Sequence, residues 1–195
     1  MIRMALVSDV PEMLKIYAPY VENTTVSFEY TVPDTEEFER RFHTYTRQFP
    51  WLVYERDGWV LGYAYGSAPF ERQAYGYCAE VSIYLAQEAM GRGVGAGLYA
   101  ALERILCLQG YQVVYSLVTS ENSRSLRFHE KQGYRLFAAF DRCGYKFGRW
   151  LGVNWLEKRL EIVDNPGEFP ASWRTIVQND EKLRDILASL SISNL

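Results

Sequence analysis

Between Gly91 and Gly97 the chain reads GRGVGAG, directly ahead of the helical run LYAALERILCLQG and shortly after a strand-like run, Ala79–Leu85. A strand followed by a glycine-rich turn that opens a helix presents unpaired backbone N–H groups and the positive end of the helix dipole, and together these attract an anion. Glycine lets an anion reach the backbone and tolerates positive φ. It equally allows close helix packing, so the glycines alone leave a phosphate site and a packing role both open. Three phosphate-holding designs compete. A P-loop needs Lys then Ser or Thr after the last glycine, where this chain has only Ala96, Gly97 and Leu98, so that design is excluded. A dinucleotide fingerprint fits Gly91, Gly93 and Ala96 poorly, because the next strand-end acid, Glu121, comes about 30 residues on where about 20 is expected. The third design is a loop that cradles the pyrophosphate of coenzyme A, with the preceding strand open alongside the pantetheine arm.

The elements that must position such a loop follow from periodicity. Ile2–Val7 reads as a strand, and Val10, Met13, Leu14, Ile16, Tyr17, Tyr20 and Val21 form a helical stripe. Val26–Tyr30 reads as extended. Asp34 and Glu37 have capping-box spacing ahead of a helix whose Phe38, Phe42 and Tyr45 share a face. Trp51–Glu55 and Trp59–Ser67 flank Arg56, Asp57 and Gly58 as a hairpin. Gln112–Val118 is a strand and Asn122–Gln132 a capped helix, while Tyr134–Phe140 and Asn154–Leu160 are closing strands. This alternation predicts an α/β (α+β) domain with a helix-covered sheet over 1–161, followed by an extension over 162–195 with a helix at Asn179–Leu190.

Composition narrows the class further. The 195 residues carry 21 Lys and Arg against 24 Asp and Glu, a formal net charge of -3, which gives no support to nucleic-acid binding. Cys78, Cys107 and Cys143 show no metal or disulfide spacing, so no metal is expected and a reducing cytoplasm fits. There is no apolar run of membrane-spanning length and no signal-peptide order at the N-terminus, so no membrane partner is expected. The 15% aromatic content is read as core packing, an interface between copies or pocket lining.

The blocks NTTVSFEY, PFERQAY, AEVSIYL, ENSRSLRFHEKQGY and GYKFGRWLGVNW, together with the loop from Met90 to Gly95, resemble the GNAT superfamily of acyl-CoA-dependent N-acetyltransferases, specifically its phosphinothricin acetyltransferase branch. The resemblance covers about residues 2–160, and Met90 stands where the superfamily loop has Gln or Arg. It implies the GNAT fold, with a mixed, mostly antiparallel sheet whose splayed central strands hold acetyl-CoA. It places Ile83, Tyr84 and Leu85 beside the pantetheine and Gly91, Arg92, Gly93, Val94, Gly95 and Ala96 around the pyrophosphate. Asn122 becomes a cofactor-side residue as well as a helix N-cap.

The same resemblance assigns chemistry. An ammonium has no lone pair to attack a thioester, so a proton must be accepted, and Glu80 matches the family's general base. A carboxylate with an ordinary pKa near 4.3 is a weak base toward an ammonium, so Glu80 is expected to work through water or with a raised pKa. His129 matches a residue that donates to the leaving sulfur or shares base duty, with a pKa expected near neutrality. Phe28, Arg72 and Tyr75 match the acceptor pocket, where a guanidinium suits an anionic or strongly accepting head group. The expected function is direct acetyl transfer to the amine of a small amino acid of phosphinothricin, methionine sulfone or sulfoximine type, by a homodimer. Protein or peptide acetylation and a noncatalytic acyl-CoA-binding module are the alternatives.

Overall fold

In the run WLVY, Trp51 and Val53 join one buried cluster while Leu52 and Tyr54 join another, so this strand is covered on both faces. That explains a continuously apolar run where an exposed sheet face would alternate with polar residues. The computed structural model describes residues 1–177. Its strands are β1 Ile2–Met4, β2 Trp51–Arg56, β3 Trp59–Ser67, β4 Cys78–Leu85, β5 Val113–Thr119, β6 Arg135–Lys146 and β7 Arg149–Arg159. They form one sheet in the order β1-β2-β3-β4-β5-β7-β6, and every neighbouring pair is antiparallel except β4 with β5. Helices α1 Val10–Asn23 and α2 Thr35–Tyr45 pack on Trp51, Val53, Val60 and Tyr63. The opposite face carries α3 Val94–Gln109, α4 Ser123–Lys131 and the short α5 Trp173–Val177. This is the mixed, mostly antiparallel architecture expected.

Local signals were read well where they were local. Asp34 caps α2 through its side chain, which accepts from the Glu37 N–H at 2.8 Å. Asp57 and Gly58 take positive φ values of 52° and 81°, as a two-residue hairpin turn requires.

Three expectations are corrected by interactions from elsewhere in the chain. The first strand stops at Met4, because Asp9 accepts from Arg3 at 2.7 Å and from the Leu6 N–H at 2.7 Å, turning the chain into a 3-10 helix at Val7–Asp9. Val26–Tyr30, read as extended, is loop and joins no strand. Lys146 Nζ donates to the carbonyls of Val21, Thr24 and Ser27 at 2.7 to 2.9 Å, and Thr119 Oγ1 donates to the Thr25 carbonyl at 2.6 Å. The closing strands are longer than expected and meet at Phe147 and Gly148, with φ of 51° and 75°. A phenylalanine is an unusual occupant of a positive-φ turn position, so this hairpin carries no ordinary turn signal. Residues 162–177 pack back onto the domain, and Trp173 belongs to the α3-side core. The helix expected at Asn179–Leu190 lies outside the described residues.

Candidate active site

The β4–β5 ladder contains only three register pairs, Cys78–Val113, Ala79–Val114 and Glu80–Tyr115. Beyond Glu80 the two strands part: β4 stays on β3 as far as Leu85, while β5 stays on β7 as far as Thr119. The Gln112 N–H donates to the Tyr77 carbonyl at 2.9 Å, so the odd-numbered residues of β4 turn their peptide groups toward β5. Backbone direction alternates along a strand. Val81 and Ile83 therefore present N–H and C=O groups to the gap where the ladder has ended. Val81, Ser82, Ile83, Tyr84, Ser116, Leu117, Val118 and Thr119 line the resulting cleft, joined by Val26, Tyr99, Asn122, Ser125 and His129.

At the far end of β4 the glycine loop enters α3. Gly91 and Gly93 have φ of 75° and 79°, and Gly93 caps the helix without a side chain. The first intrahelical bond runs from the Gly97 N–H to the Gly93 carbonyl at 3.0 Å, which leaves the N–H groups of Val94, Gly95 and Ala96 without helical partners. Gly95 has a packing role too: a Cβ there would meet the Phe128 ring at 3.3 Å and Ile83 at 3.4 Å. Gly95 thus combines close packing with an unpartnered N–H at the helix start. The arrangement of a narrow open strand edge leading to unpaired N–H groups fits a long amide-bearing arm ending in a pyrophosphate.

Glu80, the last β4 residue paired with β5, does not itself line the cleft, and it lies on the opposite face of the sheet from His129, which does. Glu80 alternates with Ser82 and Tyr84, and Tyr84 packs among the α1-side aromatics at 4.9 Å from Tyr17 and 5.3 Å from Tyr20. Burial raises the Glu80 pKa, which is what a base toward an ammonium needs. His129 sits on the α3 side and is only 2% exposed. Its Nδ1 lies 2.8 Å from the Ser125 carbonyl, which can only accept, so Nδ1 carries the proton. Nε2, 3.0 Å from the Tyr99 hydroxyl, is then the acceptor. Burial lowers the His129 pKa to about 4. The expectation of a group poised near neutrality is thus corrected: His129 is neutral at pH 7 and has no free N–H to give.

The acetyltransferase (GNAT) domain family matches residues 2–168 of the chain. The chain belongs to the GNAT acetyltransferases. Among curated relatives of this GNAT chain, the phosphinothricin N-acetyltransferase of Alcaligenes faecalis is 35% identical over 167 residues, 84% of each chain. The L-methionine sulfoximine/L-methionine sulfone acetyltransferase of Pseudomonas aeruginosa is 35% identical over 164 residues, covering 82% of this chain and 94% of its own. The crystal structure of a GNAT superfamily phosphinothricin acetyltransferase from Sinorhizobium meliloti in complex with acetyl-CoA superposes with a TM-score of 0.79 at 30% identity, covering 85% of this chain and 94% of that one.

Other expected site residues of the GNAT chain divide. Ile83, Tyr84, Asn122 and His129 line the cleft, and Asn122 also caps α4 by accepting from the Ser125 N–H at 3.1 Å. Leu85 does not line it. Its carbonyl accepts from the Tyr20 hydroxyl at 2.6 Å and its N–H donates to the same oxygen at 3.3 Å, so its peptide edge is already occupied. Leu85 and Met90 instead border a second cleft, of about 560 Å³, against α1. Phe28 packs over Gly144, where a Cβ would meet its ring at 2.2 Å. Arg72 and Tyr75 are exposed on the loop between β3 and β4, where Tyr75 packs on Phe70 at 4.6 Å and Phe70 stacks on Trp155 at 5.7 Å.

Lys146 and Arg149 prove to be framework residues. Lys146 ties down the loop before Phe28, and Arg149 makes two bonds to Glu121 at 2.5 and 2.7 Å. Tyr99 and Ser116 were missed by the sequence reading. An apolar-periodic helix and a strand conceal them, and only the packed structure brings both to the cleft. Among the described residues no group of three or more His, Cys, Asp or Glu side chains is arranged to hold a metal, and no helix is long and apolar enough to cross a membrane.

Proposed function

We propose that this GNAT enzyme transfers the acetyl group of acetyl-CoA directly to the α-amino group of a small amino acid with a tetrahedral, strongly hydrogen-bond-accepting side-chain head, of the phosphinothricin, methionine sulfone or sulfoximine type. The observation that carries the reading is the splayed cleft with Glu80 at its apex, in a chain whose relatives bear those substrates in their names. Acetyl-CoA supplies an acyl carbon made electrophilic by its thioester. Val81 and Ile83 pair with the amides of its arm, and the N–H groups of Val94, Gly95 and Ala96 hold its pyrophosphate, with Arg92 alongside.

On the opposite face, Glu80 accepts a proton from the substrate ammonium, directly or through one water, and so frees the lone pair. Attack forms the C–N bond, and collapse breaks C–S. The proton lost from nitrogen on collapse balances the thiolate, yielding amide and thiol. His129 acts as a positioning residue: its unprotonated Nε2 holds the Tyr99 hydroxyl, and Tyr99 and Ser116 line the same cleft. No cysteine lines the cleft, and burial raises the Cys78 pKa, which favours direct transfer over an acetyl-cysteine relay.

The reading includes a homodimer. Leu117 on β5 and Phe137 and Phe140 on β6 are exposed. Large apolar side chains left open on these strands are the support for a partner copy in this reading. Light scattering at micromolar concentration gives twice the mass of 22.6 kDa if so, and the single mass if not. The free thiols and the formal net charge of -3 support a cytoplasmic enzyme with small-molecule partners within this reading.

The acceptor screen tests the function itself. Thiol release from acetyl-CoA is followed with phosphinothricin, methionine sulfone, spermidine and a Lys-containing peptide. Preference for the first two is expected. Preference for the peptide or polyamine overturns the substrate assignment, and binding without turnover on any amine reduces the protein to an acyl-CoA-binding module.

A further inference from the structure

The residues after β7 return to the loop that carries Arg72 and Tyr75. The Tyr77 hydroxyl donates to the Gly167 carbonyl at 3.0 Å, and the Tyr77 and Phe169 rings stack at 4.9 Å with their planes 23° apart. Gly76 is the other half of this contact, because a Cβ there would meet the Phe169 ring at 2.8 Å. A single alanine at Gly76 would push the Phe169 ring out of this contact.

Behind Phe169 the segment is fastened firmly. The Ala171 N–H donates to the Gln109 carbonyl at 3.0 Å, while Gln109 Nε2 donates to the Ala171 carbonyl at 2.7 Å. Gln48 Nε2 donates to the Pro170 carbonyl at 2.9 Å, and the Trp173 indole N–H donates to the Thr46 carbonyl at 2.8 Å. Pro170 and Trp173 are buried, and Trp173 sits in the α3-side core. The family match ends at residue 168, so Phe169, Pro170, Ala171 and Trp173 lie beyond the matched range, while the residues that hold them, Thr46, Gln48 and Gln109, lie within it.

The opposite side of the loop leans on the sheet through the stacked rings of Phe70 and Trp155. Arg72 and Tyr75 lie between the two supports. Both residues are exposed, and among the described residues the short 3-10 turn Gln73–Tyr75 is closed by its own bonds, Tyr75 N–H to Arg72 C=O at 3.0 Å and Gly76 N–H to Gln73 C=O at 2.9 Å. A turn of that length has little intrinsic stability. Its conformation is set by what holds its two ends.

We infer that the segment from Gly167 to Trp173 is a strap that fixes the Arg72–Tyr75 loop, with Phe169 as the positioning residue that sets the enzyme's affinity for its acceptor. The inference rests on the proposed placement of Arg72 and Tyr75 at the acceptor site. Phe169 acts through Tyr77 and Gly76 and touches no reacting atom. Loss of its ring frees the loop, so acceptor binding must first order it.

The test uses the full chain with Phe169→Ala and Phe169→Tyr. Phe169 is 47% exposed, so the alanine variant removes little core packing. Phe169→Ala is expected to raise acceptor KM by about fivefold, the scale of one aromatic pair. Acetyl-CoA affinity by calorimetry and kcat stay within about twofold in this scheme, since neither the cradle nor Glu80 is disturbed. Phe169→Tyr keeps the stack and restores the wild-type KM. In the Phe169→Ala background, Arg72→Ala adds less to KM than it does in the wild type, because both act through one loop.

Hydrogen exchange of the 73–77 amides gives a readout independent of the acceptor. Faster exchange in Phe169→Ala, reversed in Phe169→Tyr, supports the strap, and unchanged exchange with unchanged KM overturns it. If the wild type acetylates none of the amino acids offered, the substrate assignment fails while the exchange data still judge the strap.

Discussion

Replacing His129 with Gln removes the one buried imidazole while keeping a side chain able to accept from Tyr99 and donate to the Ser125 carbonyl. The folded His129 titrates at about 4 because burial disfavours its charged form, whereas an unfolded histidine titrates near 6.5. Below pH 6.5 the unfolded chain therefore binds the extra proton, and stability falls as pH is lowered. A shift of that size corresponds to about 3 kcal/mol, fully present above pH 6.5 and lost progressively as the pH approaches 4. Urea unfolding of wild type and His129→Gln between pH 7.5 and 4 isolates this contribution. Carboxylates held low by arginine, such as Asp9, Glu37 and Glu121, are common to both proteins and cancel in the difference. The wild-type advantage should shrink by about 3 kcal/mol across the range. Parallel curves for the two proteins would refute the buried neutral imidazole, and with it the conclusion that His129 has no proton to donate at working pH.

Glu80→Gln should lower kcat by about 100-fold with acetyl-CoA affinity unchanged, the usual scale of a lost general base. Wild-type activity should rise with pH through an ionisation above the ordinary carboxylate range, because burial raises the Glu80 pKa, and the variant should lack that limb; a profile unaltered by the substitution would remove Glu80 from proton transfer. Arg72→Ala should raise acceptor KM by about 10-fold, the scale of one charged hydrogen bond, with calorimetric acetyl-CoA affinity unchanged. Ala96→Pro removes one of the unpaired N–H groups at a first-turn position where proline is tolerated. It should weaken acetyl-CoA binding by about 10-fold in a protein that melts normally, and unaltered affinity would argue against the cradle.

The local features of the site could be read directly from the sequence. GRGVGAG announced unpaired N–H groups at a helix start, and Asp57-Gly58 announced its hairpin, because glycine and turn residues act on their own backbone. What escaped depends on distant partners. Leu85 looked like a residue beside the arm until Tyr20, from α1, was seen to occupy its peptide edge. His129 looked like a titrating group near neutrality, but its pKa depends on burial against Tyr99 and on the Ser125 carbonyl, neither of which a motif encodes. Val26–Tyr30 reads as extended and lies in a loop whose start is fixed by Lys146, at the far hairpin, which donates to the carbonyls of Val21, Thr24 and Ser27. The sequence marks 162–195 as an extension but not what holds it: Gln48 and Gln109 donate to its carbonyls and the Thr46 carbonyl accepts from the Trp173 indole.

Mass spectrometry of a single reaction, with acetyl-CoA isotopically labelled in its acetyl group, methionine sulfone as acceptor and the wild-type enzyme, addresses direct transfer across the β4–β5 cleft. The predicted result is label on the α-nitrogen of the amino acid in a one-to-one ratio with free thiol, no label on the protein, and near-complete loss of product with Glu80→Gln. Thiol release without labelled amino acid, or label held on a cysteine, would contradict the account.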